Sequence, residues 1–280
     1  MYPIISKERL NPTVSRMVIA APLVARKAQV GQFIILRAGE RSKRMPFTVS
    51  DVDRELGTVA IIYQVVGAGT MELDQLEAGQ SLHDFVGPLG TPSDLEGLNK
   101  VCIVGGGVGC AIAYPAAKAL HRMGAQVHSI IGFRNHELVI LEDQFRAVSN
   151  RLRVMTDDGS HGEKGLVTHA LLEWLEAGEN YDQVIAIGPL PMMKFVAATT
   201  KPFGVNTIVS MNSIMVDGTG MCGGCRVTVG GKVKFACVDG PDFDGHQINF
   251  DEAIARSRMY QPFEQHARED ACRLYQKEMS

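Results

Sequence analysis

Residues 217–241 read DGTGMCGGCRVTVGGKVKFACVDGP, and three of the chain's six cysteines fall inside this stretch. Their spacing is Cys222-x2-Cys225-x11-Cys237, with Asp217 five positions ahead of the first. In a reducing compartment such a group points to metal rather than to a disulfide framework. A plant-type [2Fe–2S] loop has C-x4-C-x2-C followed by a distant fourth cysteine. That spacing is kept here, with Asp217 in the first position. A carboxylate preserves the single negative charge of a thiolate while being a harder donor. Gly218, Gly220, Gly223 and Gly224 free the backbone to wrap closely and to turn N–H groups toward sulfides. Two other chemistries use the same residue types: a structural zinc site with Cys3Asp ligation, and a redox C-x-x-C pair. Zinc ribbons and knuckles bring two paired half-sites, and only one is present. A thioredoxin-like pair opens a helix, whereas CRVTVGGKVKFACV reads as a hairpin, RVTV–GG–KVKF. Cys102, Cys110 and Cys272 are isolated and read as incidental thiols.

A second group of chemistry-bearing residues is VCIVGGGVGCA (101–111), with Gly105, Gly106, Gly107 and Gly109 between an apolar run and an Ala-rich one. A glycine turn between strand and helix lets backbone amides face a diphosphate; tight packing of helix on strand asks for the same residues. The spacing departs from G-x-G-x-x-G. The next strand ends in Arg134 and Asn135 with no acidic residue, which leaves NAD and NADP both open. TDDGSHGEKG (156–165) offers Asp157, Asp158 and Ser160 to ribose hydroxyls, and AIGPLPMMK (186–194) brings Gly188 and Pro189 to another strand end. His161 and Glu163 share a loop that reads as a solvated turn. In the N-terminal part, LRAGERSKRMPFTVSD (36–51) holds Arg41, Lys43 and Arg44 ahead of Thr48 and Ser50. IIYQVVGAGTMEL (61–73) ends a strand in Gly67-Ala68-Gly69-Thr70, a further possible phosphate cradle.

The elements that must position these groups fall into sections. Residues 1–97 contain short strands, among them 32–38, 46–52 and 58–66, at the spacing of a small barrel or sandwich. The Pro- and Gly-containing stretch 88–100 reads as a linker. Residues 98–208 alternate strands (101–105, 126–133, 152–156, 183–188) with helices, the pattern of a compact doubly wound, Rossmann-like parallel sheet. Residues 209–250 form the Gly- and Cys-rich segment, and 251–280 a charged tail, helical in pieces.

Composition narrows the function classes. The 280 residues carry 28 Lys and Arg against 31 Asp and Glu, a formal net charge of −3, which gives no electrostatic support for nucleic-acid binding. No apolar run approaches the ~20 residues that span a bilayer, and the N-terminus lacks the pattern of a signal peptide. The expectation is a cytoplasmic protein with no membrane or nucleic-acid partner.

In order along the chain, R-x-P-F-T, G-x-G-T, GGGVG, TDDGS-x-G, GP-x-PMM and a ferredoxin-like loop resemble the ferredoxin–NADP reductase superfamily. Within it the chain looks like the electron-transfer subunits of dihydroorotate dehydrogenase. It looks more like the small subunits of NADH-dependent reduced ferredoxin:NADP oxidoreductase, also described as sulfide dehydrogenase. The DGTGMCGGC loop with Asp in the first ligand position decides between these two groups, because dihydroorotate dehydrogenase partners carry Cys there. The resemblance covers residues 1–250. It implies a β-barrel FAD domain, an α/β Rossmann-like NAD(H) domain and a [2Fe–2S] segment with Asp217, Cys222, Cys225 and Cys237 as ligands. It also implies a larger flavin and iron–sulfur partner subunit that binds NADP(H), and ferredoxin reached through the complex. Carried over, Arg44, Pro46, Phe47 and Thr48 flank the flavin, with Thr48 at its reactive edge. Gly67, Gly69 and Thr70 support the FAD phosphates; Gly106, Gly107, Gly109 and Gly188 approach NAD, and Asp157 or Asp158 its ribose. The superfamily writes R-x-Y-[ST] where this chain has Met45, Pro46, Phe47 and Thr48, so Arg44 stands one residue early. The expected activity is electron bifurcation: hydride exchange between nicotinamide and FAD and single-electron exchange with the cluster, with no general acid–base residue required. A dihydroorotate dehydrogenase electron-transfer subunit and a zinc-stabilised, non-enzymatic binding module are the alternatives.

Overall fold

The computed structural model describes residues 1–278. Its first layer is an antiparallel sheet built from β1 (Tyr2–Asn11), β2 (Val14–Ala20), β3 (Phe33–Arg37), β4 (Met45–Asp53), β5 (Thr58–Gln64), β6 (Ser81–Leu82) and β7 (Asp84–Leu89), with the short helices α1 (Pro22–Ala25) and α2 (Ala68–Asp74) in its connections. The strand order is β6-β1-β2-β5-β4-β3-β7. Only His83 separates the two edge strands, so the edges meet and the sheet curls into a nearly closed barrel, which removes free edges. Alternate residues point inward: Met17 and Ile19 on β2, Ile34 and Leu36 on β3, and Val59 and Ile61 on β5 are fully buried together with Ile4, Leu73 and Leu82.

Asp74, the last residue of α2, ties that helix to the barrel. Its Oδ1 accepts from Ser15 Oγ (2.8 Å) and Tyr63 OH (3.0 Å), and its Oδ2 from Arg9 Nη2 (2.5 Å). Burial by itself would raise this carboxyl. The hydrogen bonds from Ser15, Arg9 and Tyr63, with the charge of Lys7, outweigh burial and hold it below the ordinary aspartate value. Because the folded value lies below the unfolded value of about 3.9, the stabilisation is complete above roughly pH 4. It is lost as pH falls through the depressed folded value. Asp74→Asn is expected to cost about 1.5–3 kcal/mol at neutral pH, and urea titrations should show the gap to the wild type closing in acid. A gap of the same size at pH 3 would contradict this account.

The second layer is a seven-stranded sheet. Its strands are β8 (Lys100–Gly106), β9 (Gln126–Phe133), β10 (Arg151–Thr156), β11 (Glu163–Lys164), β12 (Gln183–Ile187), β13 (Thr207–Ser210) and β16 (Asp242–Asp244), in the order β11-β10-β9-β8-β12-β13-β16. All pairs are parallel except β13–β16. Helices α3 (Gly109–Arg122) and α4 (Glu142–Val148) follow β8 and β9, and α5 (Val167–Glu176) and α6 (Leu190–Thr200) follow β11 and β12. β8 is flanked by β9 on one side and β12 on the other, so the chain reverses its winding at β8. Open α/β sheets hold ligands beside the strand ends at such a point.

The hairpin β14 (Arg226–Val229) and β15 (Lys232–Phe235) pairs Val227 with Lys234 across the Gly230-Gly231 turn, as the sequence predicts. β16, three residues long, has no signal in the sequence; it is held by pairing to β13. Through it the cysteine segment joins the nucleotide-type sheet. Cys225, Val227, Ala236, Cys237 and Phe243 share one core with Val104 and Val184 of that sheet and with Phe33 and Ile35 of the barrel. The chain ends in α7 (Phe250–Ser257), capped by the Asn249 side chain on Glu252 N (3.1 Å), and α8 (Gln261–Glu278). No helix among the described residues is long and apolar enough to cross a membrane.

Candidate functional site

The cysteine loop is preorganised. Cys225 and Cys237, 1% and 2% exposed, bring their sulfurs to 3.2 Å of each other at the base of the hairpin. Cys222 lies at the surface, where the amides of Gly224, Asp217 and Val216 bond its sulfur and hold its thiol below the ordinary cysteine value. The Asp217 carboxylate is exposed. Its Oδ2 accepts from Thr219 N (2.9 Å), Thr219 Oγ1 (2.5 Å) and Met221 N (3.3 Å), and Oδ1 has no partner among the described residues. Gly218 and Gly220 both take φ +86° to make this turn, a conformation that costs other L-residues roughly 1–2 kcal/mol. Among the described residues no three His, Cys, Asp or Glu converge on one ion-sized point. A structural zinc asks for four such donors. A two-iron cluster takes its protein donors as two on each iron, which suits a close Cys225–Cys237 pair with Cys222 and Asp217 on the outer side.

At the β8 strand end the glycines divide into two kinds. Gly107 has φ +56° and open space where a β-carbon would be. Its own N–H donates to Gly132 O (2.8 Å), and in the first turn of α3 Cys110 N and Ala111 N turn back to Gly107 O (3.1 Å) and Val108 O (3.0 Å), so what this turn offers a diphosphate is open space at the N-terminal, positive end of the helix. Gly106 and Gly109 also allow contact between loops. A β-carbon on Gly109 would overlap the Ile187 carbonyl oxygen and sit 2.7 Å from Gly188 Cα; one on Gly106 would strike Met192 and lie 3.3 Å from Pro189 Cδ. Gly188 in turn abuts Met192 and Gly106. The GGGVG and GP-x-PMM loops therefore pack on each other and form one wall.

Asp157 and Asp158 are exposed at the end of β10, beside the β9 end, with Asp157 N bonded to Phe133 O (3.0 Å). The Asp158 carboxylate accepts from Ser160 Oγ (2.7 Å) and Ser160 N (2.9 Å), and these bonds hold it below the ordinary aspartate value. Ser160 Oγ also accepts from His136 N (2.8 Å), so its hydroxyl is committed within the protein. His161 does not pair with Glu163, which binds Arg153. It meets Glu142 of α4 at 2.6 Å and lies tilted against His136 with ring centroids 5.1 Å apart. Residues 19 positions apart in the chain close this loop, a contact that only the fold supplies.

In the barrel, Phe47 and Thr48 lie half-buried on β4, paired with Ile34 and Phe33 of β3. Phe47 tilts against Tyr63 with centroids 5.8 Å apart. Ser50 donates to Ala60 O (2.9 Å), whereas the Thr48 hydroxyl has no partner among the described residues. The two barrel motifs meet: a β-carbon on Gly69 would lie 2.7 Å from Met45 Sδ, and Gly67 faces open space. Thr70 Oγ1 accepts from Val66 N (2.9 Å) and Gly67 N (3.0 Å) and donates to Gly67 O (2.9 Å), so Thr70 shapes the turn from within. Arg44 reaches across to the cysteine loop. Its Nε donates to Val216 O (2.8 Å) and its Nη2 to Asp217 O (3.2 Å). The sequence holds no signal for this contact across more than 170 positions.

With the geometry in place, the chain can be set beside known proteins. Residues 212–249 match the iron–sulfur cluster binding domain of dihydroorotate dehydrogenase B. A Thermotoga maritima homolog of the dihydroorotate dehydrogenase B (NAD(+)) electron transfer subunit is 44% identical over 257 residues, covering 92% of this chain and 90% of that one. The Streptococcus mutans dihydroorotate dehydrogenase B (NAD(+)) electron transfer subunit is 33% identical over 259 residues, covering 89% and 97%. A solved structure of the NADH-dependent reduced ferredoxin–NADP oxidoreductase, described in terms of flavin-based electron bifurcation, superposes with a TM-score of 0.91. It is 42% identical and covers 96% of this chain and 97% of its own. A barrel joined to a doubly wound sheet and a cysteine loop, shared over nearly the whole length of these relatives, places the chain in one family: it belongs to the flavin and iron–sulfur oxidoreductase subunits that comprise the dihydroorotate dehydrogenase B electron-transfer subunits and the small subunit of NADH-dependent reduced ferredoxin:NADP oxidoreductase.

Proposed function

We propose that this chain is the small, NAD(H)-handling subunit of an electron-bifurcating NADH-dependent reduced ferredoxin:NADP oxidoreductase. It passes electrons between NAD(H), FAD and a [2Fe–2S] cluster toward a larger flavin and iron–sulfur subunit, which binds NADP(H) and exchanges electrons with ferredoxin. Bound FAD supplies the conversion between two-electron hydride exchange and one-electron exchange with the cluster. The flavin is assigned to residues 1–97, the nicotinamide to 98–208 and the cluster to 209–250, with 251–280 as a helical tail. Phe47 and Thr48 present a ring and a free hydroxyl to the flavin edge, and the Gly67–Thr70 turn presents backbone to its phosphates. Gly107 and the first turn of α3 receive the NAD diphosphate. No general acid–base residue is required for this exchange, in keeping with a His161–Glu142 pair committed to closing a loop.

The observation that carries this reading over a dihydroorotate dehydrogenase partner is Asp217, placed at the mouth of the cysteine loop with one carboxylate oxygen free for iron. Asp217→Ala should change cluster content and spectrum; an unchanged spectrum would remove Asp217 from the ligand set. The complex purified without air tests the whole reading. A second flavin and iron–sulfur subunit that turns over NADP(H) is the expected finding, and a partner that oxidises dihydroorotate is the result that would replace it.

The acidic pair at the end of β10 also bears on the choice of nucleotide. Carboxylates at 157 and 158 accept ribose hydroxyls and repel a 2′-phosphate. Replacing both with Ser should raise kcat/KM for NADPH relative to NADH roughly tenfold, as one to two kcal/mol of relieved repulsion at an exposed site implies. Dye reduction with each nucleotide measures the ratio, and an unchanged ratio would place the ribose elsewhere.

A further inference from the structure

The cluster loop is seated on the wall of the flavin barrel at two points. Arg44, at the start of the strand that carries Phe47 and Thr48, spans two successive carbonyls of the loop, Val216 O and Asp217 O. Beside it, Gly218 lies so close to β3 and β7 that a β-carbon there would meet Ile35 Cδ1 at 2.6 Å and Leu89 Cδ1 at 2.9 Å. Residues 217 and 218 thus have their backbone seated against the barrel. A guanidinium presents its donors in a rigid planar fork, so two bonds from one Arg fix orientation as well as distance. Of the basic group ahead of Thr48, Arg41 and Lys43 are exposed and only Arg44 is half-buried against the loop.

We infer that Arg44 is a positioning residue for the iron–sulfur cluster. It holds the first-ligand turn in place from the flavin barrel, and its fixed positive charge beside Asp217 sets the cluster's reduction potential higher than the loop alone would. The inference rests on the functional reading above. The sign follows from charge: reduction adds one electron to the cluster, and a nearby cation stabilises the more negative state. Net charge and hydrogen bonding around a cluster are among the factors that set its potential. The same contact makes the flavin-to-cluster spacing a property of one strand, since Arg44 and Thr48 are four residues apart on or beside β4.

EPR-monitored redox titration of the full chain, loaded with its cluster, tests this with Arg44→Gln, Arg44→Lys and Lys43→Gln. Arg44→Gln is expected to shift the cluster midpoint to more negative potential and to broaden the EPR signal of the reduced cluster. Arg44→Lys, which restores charge without the fork, should recover the midpoint but not the line shape. Lys43→Gln removes an equal charge one residue away and should leave both unchanged. A wild-type midpoint and line shape in Arg44→Gln would overturn the inference, as would an equal shift in Lys43→Gln. If Arg44→Gln retains no iron, Arg44→Lys decides the positioning role: a wild-type line shape there overturns it. Iron and sulfide content of the wild type separates the two levels, because a wild type without a cluster refutes the functional reading, whereas an unshifted variant refutes only the role of Arg44.

Discussion

Cys237→Ala should yield a protein with essentially no iron and no acid-labile sulfide that still reduces a two-electron dye with NADH. Of the four proposed ligands, Cys237 is among those held most firmly by the fold. It closes the β14–β15 hairpin, is 2% exposed, and sits 3.2 Å, sulfur to sulfur, from Cys225. Cys102 and Cys110 cannot replace it, because they are buried within the nucleotide domain, on β8 and at the start of α3. Loss of outer-shell partners alone typically costs about 10–100-fold in metal affinity, and loss of a ligand should exceed that. Electron delivery to the partner subunit should fall with the iron. Dye reduction should persist, because Thr48, Gly107 and Asp157 are positioned by other strands. Metal analysis with the visible spectrum reads the first effect and a dye assay the second. A variant with full iron would sink the ligand assignment.

Gly109→Ala should be among the most destabilising single-methyl additions in the chain, whereas Gly107→Ala should impair nucleotide binding with a smaller loss of stability. At 109 the new methyl would collide with backbone, the Ile187 carbonyl and Gly188 Cα, which cannot rotate aside as a side chain can. Overpacking typically costs about 1–3 kcal/mol and sometimes more, and an immovable neighbour puts this site at or beyond the upper end. At 107 the space is open, and the cost is the left-handed backbone at φ +56°, roughly 1–2 kcal/mol. On the proposed function, the added methyl there would stand where the NAD diphosphate approaches. Thermal and urea unfolding give the stability order, and NADH titration of the folded variants gives the binding order. Equal destabilisation at both positions would contradict this division of roles.

Much of this arrangement is legible in the residues because it is local. The short apolar runs of β3, β4 and β5 between turn residues, the strand–glycine–helix run from Lys100 to Arg122 and the RVTV–GG–KVKF hairpin follow from composition and turn chemistry within a few positions. The cysteine spacing is likewise a short-range statement, and it identifies the loop before any tertiary contact is considered. What is not legible is which of several chemically suitable groups are spent inside the protein. Thr70 and Ser160 read as hydroxyls for a ligand, yet both are consumed in turns. Gly106 and Gly109 read as diphosphate glycines, and that their missing side chains also make room for a neighbouring loop is visible only in the fold. β16 has too few residues for any periodicity and exists because β13 offers it an edge.

The sequence by itself determined the kinds of chemistry this chain can hold and their order: a strand-rich barrel or sandwich, a glycine-rich nucleotide-type turn and a loop with three cysteines and one aspartate. Those follow from residue type and short spacing, which are properties of the covalent chain. Tertiary structure alone decided how the three are joined. The cysteine segment is too short for a core of its own, so its hairpin is buried against Phe33 and Ile35 of the barrel and against the parallel sheet. Its turn at Val216 and Asp217 is bonded by Arg44, which lies just before β4 and more than 170 residues earlier. Such contacts depend on closing a long loop, whose entropic cost is met by the summed packing of two domains and by no local preference, so no pattern within the loop or within the strand could announce them.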